Sequence, residues 1–124
     1  MKIKKFQSSN GLEILVGRDD RSNDALTFSI GRAHDVWLHV SGASGSHVIL
    51  RNENADAPDK ESLKEAAALA AWFSKMRAGG NVTVSYCLLK DVSKPRGLPA
   101  GKVTIKRAKK MTVRPALLEE LAGD

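Results

Sequence analysis

The sequence predicts an α+β domain, in which a mostly antiparallel β-sheet packs against one long central helix, with one or two short helices. Three observations support this class: an Asn-Gly pair between two short apolar runs, a period-two pattern between Asp35 and Leu50, and an alanine-rich helical segment between Ala57 and Gly80. A chain of 124 residues is long enough for one modest core, so we expect residues 1–124 to form a single domain.

The first two elements are a hairpin and a short helix. In KKFQSSNGLEILVG, the pair Asn10-Gly11 separates two strand-like runs and favours a type I′ turn, whose two central residues need positive φ. The next segment, RSNDALTFSIGRA, predicts a short helix that is capped by Asn23 or Asp24 and ends at Gly31.

Alternation then predicts two strands, DVWLHV and SHVILR, on either side of a loop of small residues. In the first strand the aliphatic residues favour the core, which leaves Trp37 and His39 on the less buried face. A tryptophan there needs a covering element, because an exposed indole is costly. In the second strand, His47 and Ile49 share one face.

The long helix is predicted for APDKESLKEAAALAAWFSKMRAGG, which starts with a proline and Asp59, contains good helix formers and ends at a glycine pair. At about 100° per residue its apolar face consists of Leu63, Ala66, Leu69, Ala70, Phe73 and Met76. This face is rich in alanine and can therefore pack close against a sheet.

The rest of the chain predicts strands in NVTVSYCLL, KVTIKR and KKMTVR, and a last helical turn or two in PALLEELAGD. Residues Lys90 to Gly101 contain two prolines and two glycines, which predict an irregular loop.

Positive charge is concentrated near the C-terminus. The chain has a formal net charge of +6 and a pI near 9.7, which favours polyanionic partners such as nucleic acid. Between Lys90 and Arg114 there are nine basic residues, and Asp91 is the one acidic residue. An anion-binding surface is the preferred interpretation of this run, and a solvated lysine face is the alternative.

The loop SGASGS, residues 41–46, joins the two histidine-bearing strands. Its glycines, hydroxyls and consecutive backbone N–H groups suit an anion-binding nest, although a plain hairpin loop has the same composition. The neighbouring histidines, His39 and His47, are then expected to donate to phosphate, base edges or carbonyl groups.

Catalytic and metal-binding patterns are incomplete. Strand alternation separates His34 from His39, the HVS at His39 has no second His-x-Ser/Thr element, and no G-x-S-x-G elbow is present. We therefore expect no catalytic residues, metal or cofactor. The single cysteine, Cys87, excludes an internal disulfide, and the lack of a signal peptide or a long apolar run predicts a cytoplasmic protein without membrane contact.

Taken in order, the motifs resemble the C-terminal RNA-binding domain of the NFACT family, whose larger members are ribosome-associated quality-control factors, known in bacteria also as fibronectin-binding proteins. The resemblance covers residues 5 to 115. Its marks are Val16 to Arg18, Asn23-Asp24, the Asp-x-Trp-x-His of Asp35, Trp37 and His39, Gly45 to Val48, Ala-Ala-x-x-Ser-Lys in the long helix, Val92 to Pro95, and Pro-Ala-Gly before Val103.

The resemblance implies a module that binds RNA, either tRNA or rRNA, with the large ribosomal subunit as a further expected partner. The larger relatives also have an N-terminal half and a coiled coil. This sequence has neither, so we expect a stand-alone domain and do not carry over the extension of stalled chains. Structured RNA is favoured over single strands, because aromatic residues make up only 5% of the chain.

The residues that we expect to contact RNA are Arg18, Trp37, His39, Ser44, Gly45, Ser46, His47, Lys90, Lys94, Arg96, Lys102, Lys106, Lys109 and Lys110. Two alternatives remain open. One is a histidine-dependent hydrolase or nuclease that acts on RNA or a phosphoester, and the other is a ribosome-associated protein-interaction module. The sequence does not determine the oligomeric state.

Overall fold

The computed structural model describes residues 2–53 and 57–121. Its elements in chain order are β1 (Ile3–Gln7), β2 (Glu13–Gly17), α1 (Asp20–Ala25), β3 (Val36–Val40), β4 (Val48–Leu50), α2 (Lys60–Trp72), β5 (Val82–Leu88), β6 (Val92–Ser93), β7 (Thr104–Ile105) and β8 (Lys109–Val113). A π-helical turn (Leu26–Ile30) continues α1, and a 3-10 turn (Leu89–Asp91) follows β5.

Six strands form one sheet in the order β1-β2-β4-β3-β5-β8, and β6 pairs with β7 in a separate two-stranded sheet. Every neighbouring pair is antiparallel. The predicted α+β class and mostly antiparallel sheet are therefore confirmed. Strand β3, which carries Trp37 and His39, lies inside the sheet between β4 and β5, so both of its edges are paired.

The predicted first hairpin is present, but its turn differs. Strands β1 and β2 pair from Ile3↔Gly17 to Gln7↔Glu13, so the connection is longer than the two residues of a type I′ turn. Gly11 has φ +88°, whereas Asn10 does not adopt a positive φ. The longer loop is held by hydrogen bonds from Gly11 N to Ser8 O (2.9 Å) and from Ser8 N to Leu12 O (2.8 Å).

Helix α2 covers one face of the sheet, as its alanine-rich side predicts. The Asp59 side chain caps the helix by accepting a hydrogen bond from Ser62 N at 2.8 Å. Ala66, Ala67 and Leu69 are fully buried against the aliphatic residues of the central strands. The small side chains let the helix axis approach the sheet, and this contact forms the main core.

The prediction of one long central helix is wrong. Helix α2 has 13 residues and ends at Trp72, and Phe73 leaves the helix with φ −91° and ψ +46°. The backbone of Phe73 to Lys75 pairs instead with the loop of small residues, and this competing pairing stops the helix well before the glycine pair. Neither helix in the described ranges is long and apolar enough to cross a bilayer.

The opposite face of the sheet is also buried near its centre. Trp37 is only 3% exposed and packs with Leu26, Leu89 and Val92. These residues come from the π-helical turn, the 3-10 turn and β6. The cover that Trp37 requires is thus supplied by two segments that are distant in sequence.

Helix α1 begins earlier than predicted, because its cap is Asp19, whose carboxylate accepts a hydrogen bond from Ser22 N at 2.8 Å. Asn23 and Asp24, the predicted caps, lie inside the helix and make tertiary contacts instead. Asp24 Oδ1 accepts a hydrogen bond from Gly101 N at 3.0 Å, which ties the loop before β7 to α1.

The predicted C-terminal helix is absent from residues 115–121, and residues 122–124 of that prediction lie outside the described part of the chain. Leu121 N donates to Lys5 O at 2.9 Å, and Glu120 forms a bridge with Phe6. An extended backbone that pairs with the free edge of β1 replaces the helical turns, because it satisfies donors and acceptors on both segments.

Asp35, immediately before β3, joins the turn that precedes this strand to the segment after β4 through a buried carboxylate. Its side chain is 3% exposed and accepts hydrogen bonds from Arg32 N (2.9 Å), Asn52 N (3.0 Å) and the Arg51 guanidinium (2.9 Å). Arg51 lies just after β4, so this cluster fixes where β3 begins and where β4 ends.

We expect Asp35→Ala to lower the free energy of unfolding by about 3–5 kcal/mol, because it leaves a partly buried guanidinium and two backbone donors without their acceptor. Urea denaturation followed by circular dichroism measures the change. Glu13→Gln is the matched control: Glu13 is 3.6 Å from the same arginine but 43% exposed, and its loss should cost less than about 1 kcal/mol. Equal losses in the two variants would contradict a special role for Asp35.

Candidate nucleic-acid interface

The loop of small residues is docked against the end of α2 by backbone hydrogen bonds. Ser46 N donates to Phe73 O at 2.9 Å, and Lys75 N donates to Ser44 O at 3.0 Å. Between them, a Cβ on Gly45 would lie 2.8 Å from Ser74 Cβ, so only glycine allows the two backbones to approach this closely. We call residues 44–46, held in this way, the serine ridge.

His47 follows the serine ridge and is 2% exposed. Its backbone N–H donates to Asn23 Oδ1 at 3.0 Å, and its ring Nδ1 lies 2.8 Å from Thr27 Oγ1. Its carbonyl accepts from Gly17 N at 3.0 Å. The residue therefore joins α1, the π-helical turn and β2, and one ring nitrogen is already engaged by the protein.

Three rings pack together beside the serine ridge. The Trp37 and His39 rings are stacked, with centroids 5.8 Å apart, and the His47 ring meets both edge-on, at 5.1 Å from Trp37 and 5.6 Å from His39. Both histidines lie on the face of the sheet opposite α2, and for His39 this is the face that alternation predicted. Within residues 2–53 and 57–121, no three His, Cys, Asp or Glu side chains converge to hold a metal ion.

The environment of the two imidazoles favours their neutral form. Burial lowers the pKa of His47 to about 4, with a further contribution from the neighbouring His39. Burial also lowers the pKa of His39, against the opposing effect of the Val40 and Gly45 backbones. Near pH 7 each ring is thus one donor and one acceptor rather than a cation.

A cavity of about 560 Å³ opens at these rings. We call it the histidine pocket, and the lining residues that matter here are Asp20, Trp37, His39, Ser44, His47 and Lys102. In the described part of the chain, Trp37 Nε1 is the buried side-chain nitrogen or oxygen without a hydrogen-bond partner. The pocket therefore combines two neutral imidazoles and the edge of a buried tryptophan with one lysine and one aspartate.

A second cavity, of about 630 Å³, lies on the other side of the serine ridge. Its cations are Lys4, Arg18, Lys75 and Arg77, and the Asp19 and Asp20 carboxylates also line it. We call it the arginine groove. The Arg18 guanidinium lies 4.6 Å from the Phe73 ring centroid, and that of Arg77 lies 4.7 Å from the Trp72 centroid. Stacking on the rings holds both cations in place.

Sequence reasoning missed most of the arginine groove. In the long helix that was predicted, Trp72 and Arg77 would lie about 140° apart around the axis, on different faces. The basic residues after Phe73 could have indicated an anion-binding surface. However, they lie beside Arg18 and the serine ridge only because α2 ends early.

The lysines of the basic segment between Lys90 and Arg114 have different surroundings. Lys102 lines the histidine pocket. Lys94 is engaged internally: its ammonium donates to the carbonyls of Pro99 (2.7 Å) and Lys102 (2.6 Å) and lies 3.4 Å from Asp24. Lys94 thus shapes the loop that positions Lys102.

The cations of β8 lie on two faces of the sheet. Lys110 pairs with Ser85, which pairs with His39, so Lys110 shares the histidine face. Lys109 pairs with Tyr86 on the face of α2. Lys90, Arg96 and Lys106 are exposed but do not line the histidine pocket or the arginine groove.

The residues that the structure gathers around the serine ridge are Arg18, Trp37, His39, Ser44, Gly45, Ser46, His47 and Lys102. The remaining predicted residues lie farther along the surface or on the opposite face. Contact of any of these residues with RNA stays a prediction.

Comparison with known proteins gives a consistent match. The family model for the NFACT protein RNA binding domain matches residues 2–107. The chain is 39% identical to the Rqc2 homolog RqcH of Bacillus subtilis, over 82% of this chain and 17% of that protein. It is 32% identical to the ribosome quality control complex subunit 2 of Schizosaccharomyces pombe, over 94% of this chain and 12% of that protein.

A solved structure agrees with this match. The C-terminal part of the fibronectin/fibrinogen-binding protein from Streptococcus suis superimposes with a TM-score of 0.87 and 36% identity, over 94% of this chain and 46% of that one. The chain spans a fifth or less of the length of the curated relatives described here.

The buried imidazole of His47 predicts acid sensitivity. The unfolded chain takes up a proton near the ordinary pKa of 6.5, whereas the folded protein resists it until about pH 4. The free energy of unfolding should therefore fall as the pH is lowered through this window, by on the order of 3 kcal/mol in total.

Urea denaturation at successive pH values checks this expectation. His47→Gln should lose a large part of the dependence between pH 6.5 and pH 4, and His39, whose pKa burial also lowers, should supply part of the remainder. His34→Gln, which changes an exposed histidine, should retain the full dependence. An unchanged pH dependence in His47→Gln would show that other groups are responsible.

Proposed function

The chain belongs to the family of NFACT RNA-binding domains, and on this premise we propose that it binds structured RNA, tRNA or rRNA, around the serine ridge, without catalysis. We further propose that this binding occurs in the cytoplasm, that it is linked to translation or ribosome-associated quality control, and that the large ribosomal subunit is a partner. The names of the relatives from Bacillus subtilis and Schizosaccharomyces pombe support the link.

The observation that carries the proposal is the position of the serine ridge between two different cavities. On one side, the arginine groove presents cations held by aromatic rings. On the other, the histidine pocket presents neutral donors and acceptors. Phosphate contacts supply affinity and position, and hydrogen-bonding groups read bases or shape, so the two cavities match the two parts of RNA recognition.

The two tryptophans support structured RNA over an extended single strand. Trp37 is 3% exposed, and the Trp72 ring lies under the Arg77 guanidinium. Proteins that bind single strands without sequence preference stack successive bases on open aromatic rings. Neither tryptophan offers such a ring here.

The surroundings of the histidines support binding rather than catalysis. His47 is buried, and its Nδ1 is within hydrogen-bond distance of Thr27. A general acid or base must reach the reacting group directly or through one water, and a ring enclosed in this way is better suited to hold the pocket in shape.

We expect affinity for tRNA to fall steeply with salt, with a slope of several units in a plot of log K against log salt concentration. Arg77→Gln together with Lys102→Gln should lower this slope by about two, one for each lost phosphate contact. Fluorescence anisotropy with labelled tRNA measures the slope. Lys64→Gln is the matched control, because Lys64 is exposed on α2 and lines neither the histidine pocket nor the arginine groove.

A salt-independent affinity, or equal losses in the Lys64 control, would contradict the proposed surface. Polyuridine should bind more weakly than tRNA at the same salt concentration. Association with ribosomal particles that survives complete nuclease digestion, without affinity for purified RNA, would instead favour the protein-interaction module.

We also expect labelled tRNA to remain at full length after prolonged incubation with the protein, with and without added divalent cations, as judged on a denaturing gel. The expectation follows from the enclosed His47 ring and its engaged nitrogen. Shortened RNA that disappears with His39→Ala would establish the nuclease alternative instead.

A further inference from the structure

We infer that the histidine pocket receives one unpaired base of the bound RNA, while the adjoining backbone crosses the serine ridge into the arginine groove. This inference rests on the proposed function and adds the chemical class of group that enters the pocket. It predicts that a bulged or looped nucleotide within structured RNA is the preferred feature.

The size of the pocket suits such a group. A volume of about 560 Å³ lies within the range of about 300–1,000 Å³ found for small-molecule sites. The pocket lies next to the arginine groove, and both are lined by Ser44, Gly45 and Asn23. One nucleotide can therefore place its base on one side of the serine ridge and its neighbouring phosphate on the other.

The chemistry of the pocket favours a base over a phosphate. His39 and His47 are neutral near pH 7, so they attract an anion less than they would as cations. The Asp20 carboxylate, which lines both cavities, can accept a hydrogen bond from the amino group of a base. Lys102 is the cation in the lining and is exposed, which places it to meet the backbone.

Trp37 offers a way to detect a base in the pocket. Its indole Nε1 is buried and lacks a hydrogen-bond partner in the described part of the chain, which is costly for a donor. The residue lines the histidine pocket. The His39 ring stacks on the Trp37 ring at the pocket, so a base that enters the pocket would change the surroundings of this indole.

The test compares three short RNA hairpins that differ at one position: a bulged adenosine, an abasic nucleotide at the same bulge, and no bulge. Anisotropy measures the affinity of each for the protein at one salt concentration. We expect the bulged adenosine to bind about tenfold more tightly than the abasic hairpin, as the loss of one buried base predicts. No change in the protein is needed, so misfolding cannot explain the result.

A second readout reports on Trp37 itself. The chain has two tryptophans, and ¹H–¹⁵N spectra should show one indole signal for each; Trp72→Phe identifies which is which. The Trp37 indole signal should move when the bulged hairpin is added and stay in place with the abasic hairpin. His39→Leu should reduce the preference for the bulged adenosine, whereas Lys64→Gln should preserve it.

The outcomes separate this inference from the proposed function. If all three hairpins bind equally, with a normal salt dependence and an unchanged Trp37 signal, the inference is overturned while RNA binding stands. If neither the hairpins nor tRNA bind, both the inference and the proposed function are overturned. Tighter binding of the bulged adenosine together with a moved Trp37 signal supports both.

Discussion

The backbone pairing between residues 44–46 and 73–75 is the interaction on which the candidate site depends. Two hydrogen bonds, Ser46 N to Phe73 O and Lys75 N to Ser44 O, hold the loop against the end of α2. They compete with continuation of the helix, and they require Gly45, because any side chain would collide with Ser74. The same pairing forms the wall between the histidine pocket and the arginine groove and places Lys75 and Arg77 beside Arg18.

Burial of the sheet on both faces explains the character of the histidine pocket. Segments after α1 and β5 cover Trp37, and the covered region includes His47 and ends at His39, which is only partly buried. Desolvation lowers the pKa of both imidazoles and makes them neutral polar groups. Asp35 and Arg51 fix the other end of the same strands, so the ring cluster stands on a rigid base.

Local patterns predicted the strands well and the long-range contacts poorly. Alternation placed Trp37 and His39 on the correct face, because the pleat of a strand determines direction residue by residue. Helix propensity could not show where α2 ends, since Phe73 to Lys75 are helix-compatible and lose only to a partner loop about 30 residues away. Likewise, Asn23 and Asp24 have side chains that suit a helix cap, but Asp19 is the cap of α1. Asn23 instead accepts a hydrogen bond from His47 N, and Asp24 accepts one from Gly101 N.

The sequence alone determined the α+β class, the hairpin, the two histidine-bearing strands, the basic character and the family resemblance. Each of these features depends on neighbouring residues and their order. Only the tertiary structure decided where each cation lies. Lys102 lines the histidine pocket, Lys94 donates to carbonyl groups, and Lys109 and Lys110 lie on opposite faces of the sheet. A charged side chain at the surface has no periodic signal of its own, because its position follows from loops whose course is set by contacts between distant segments.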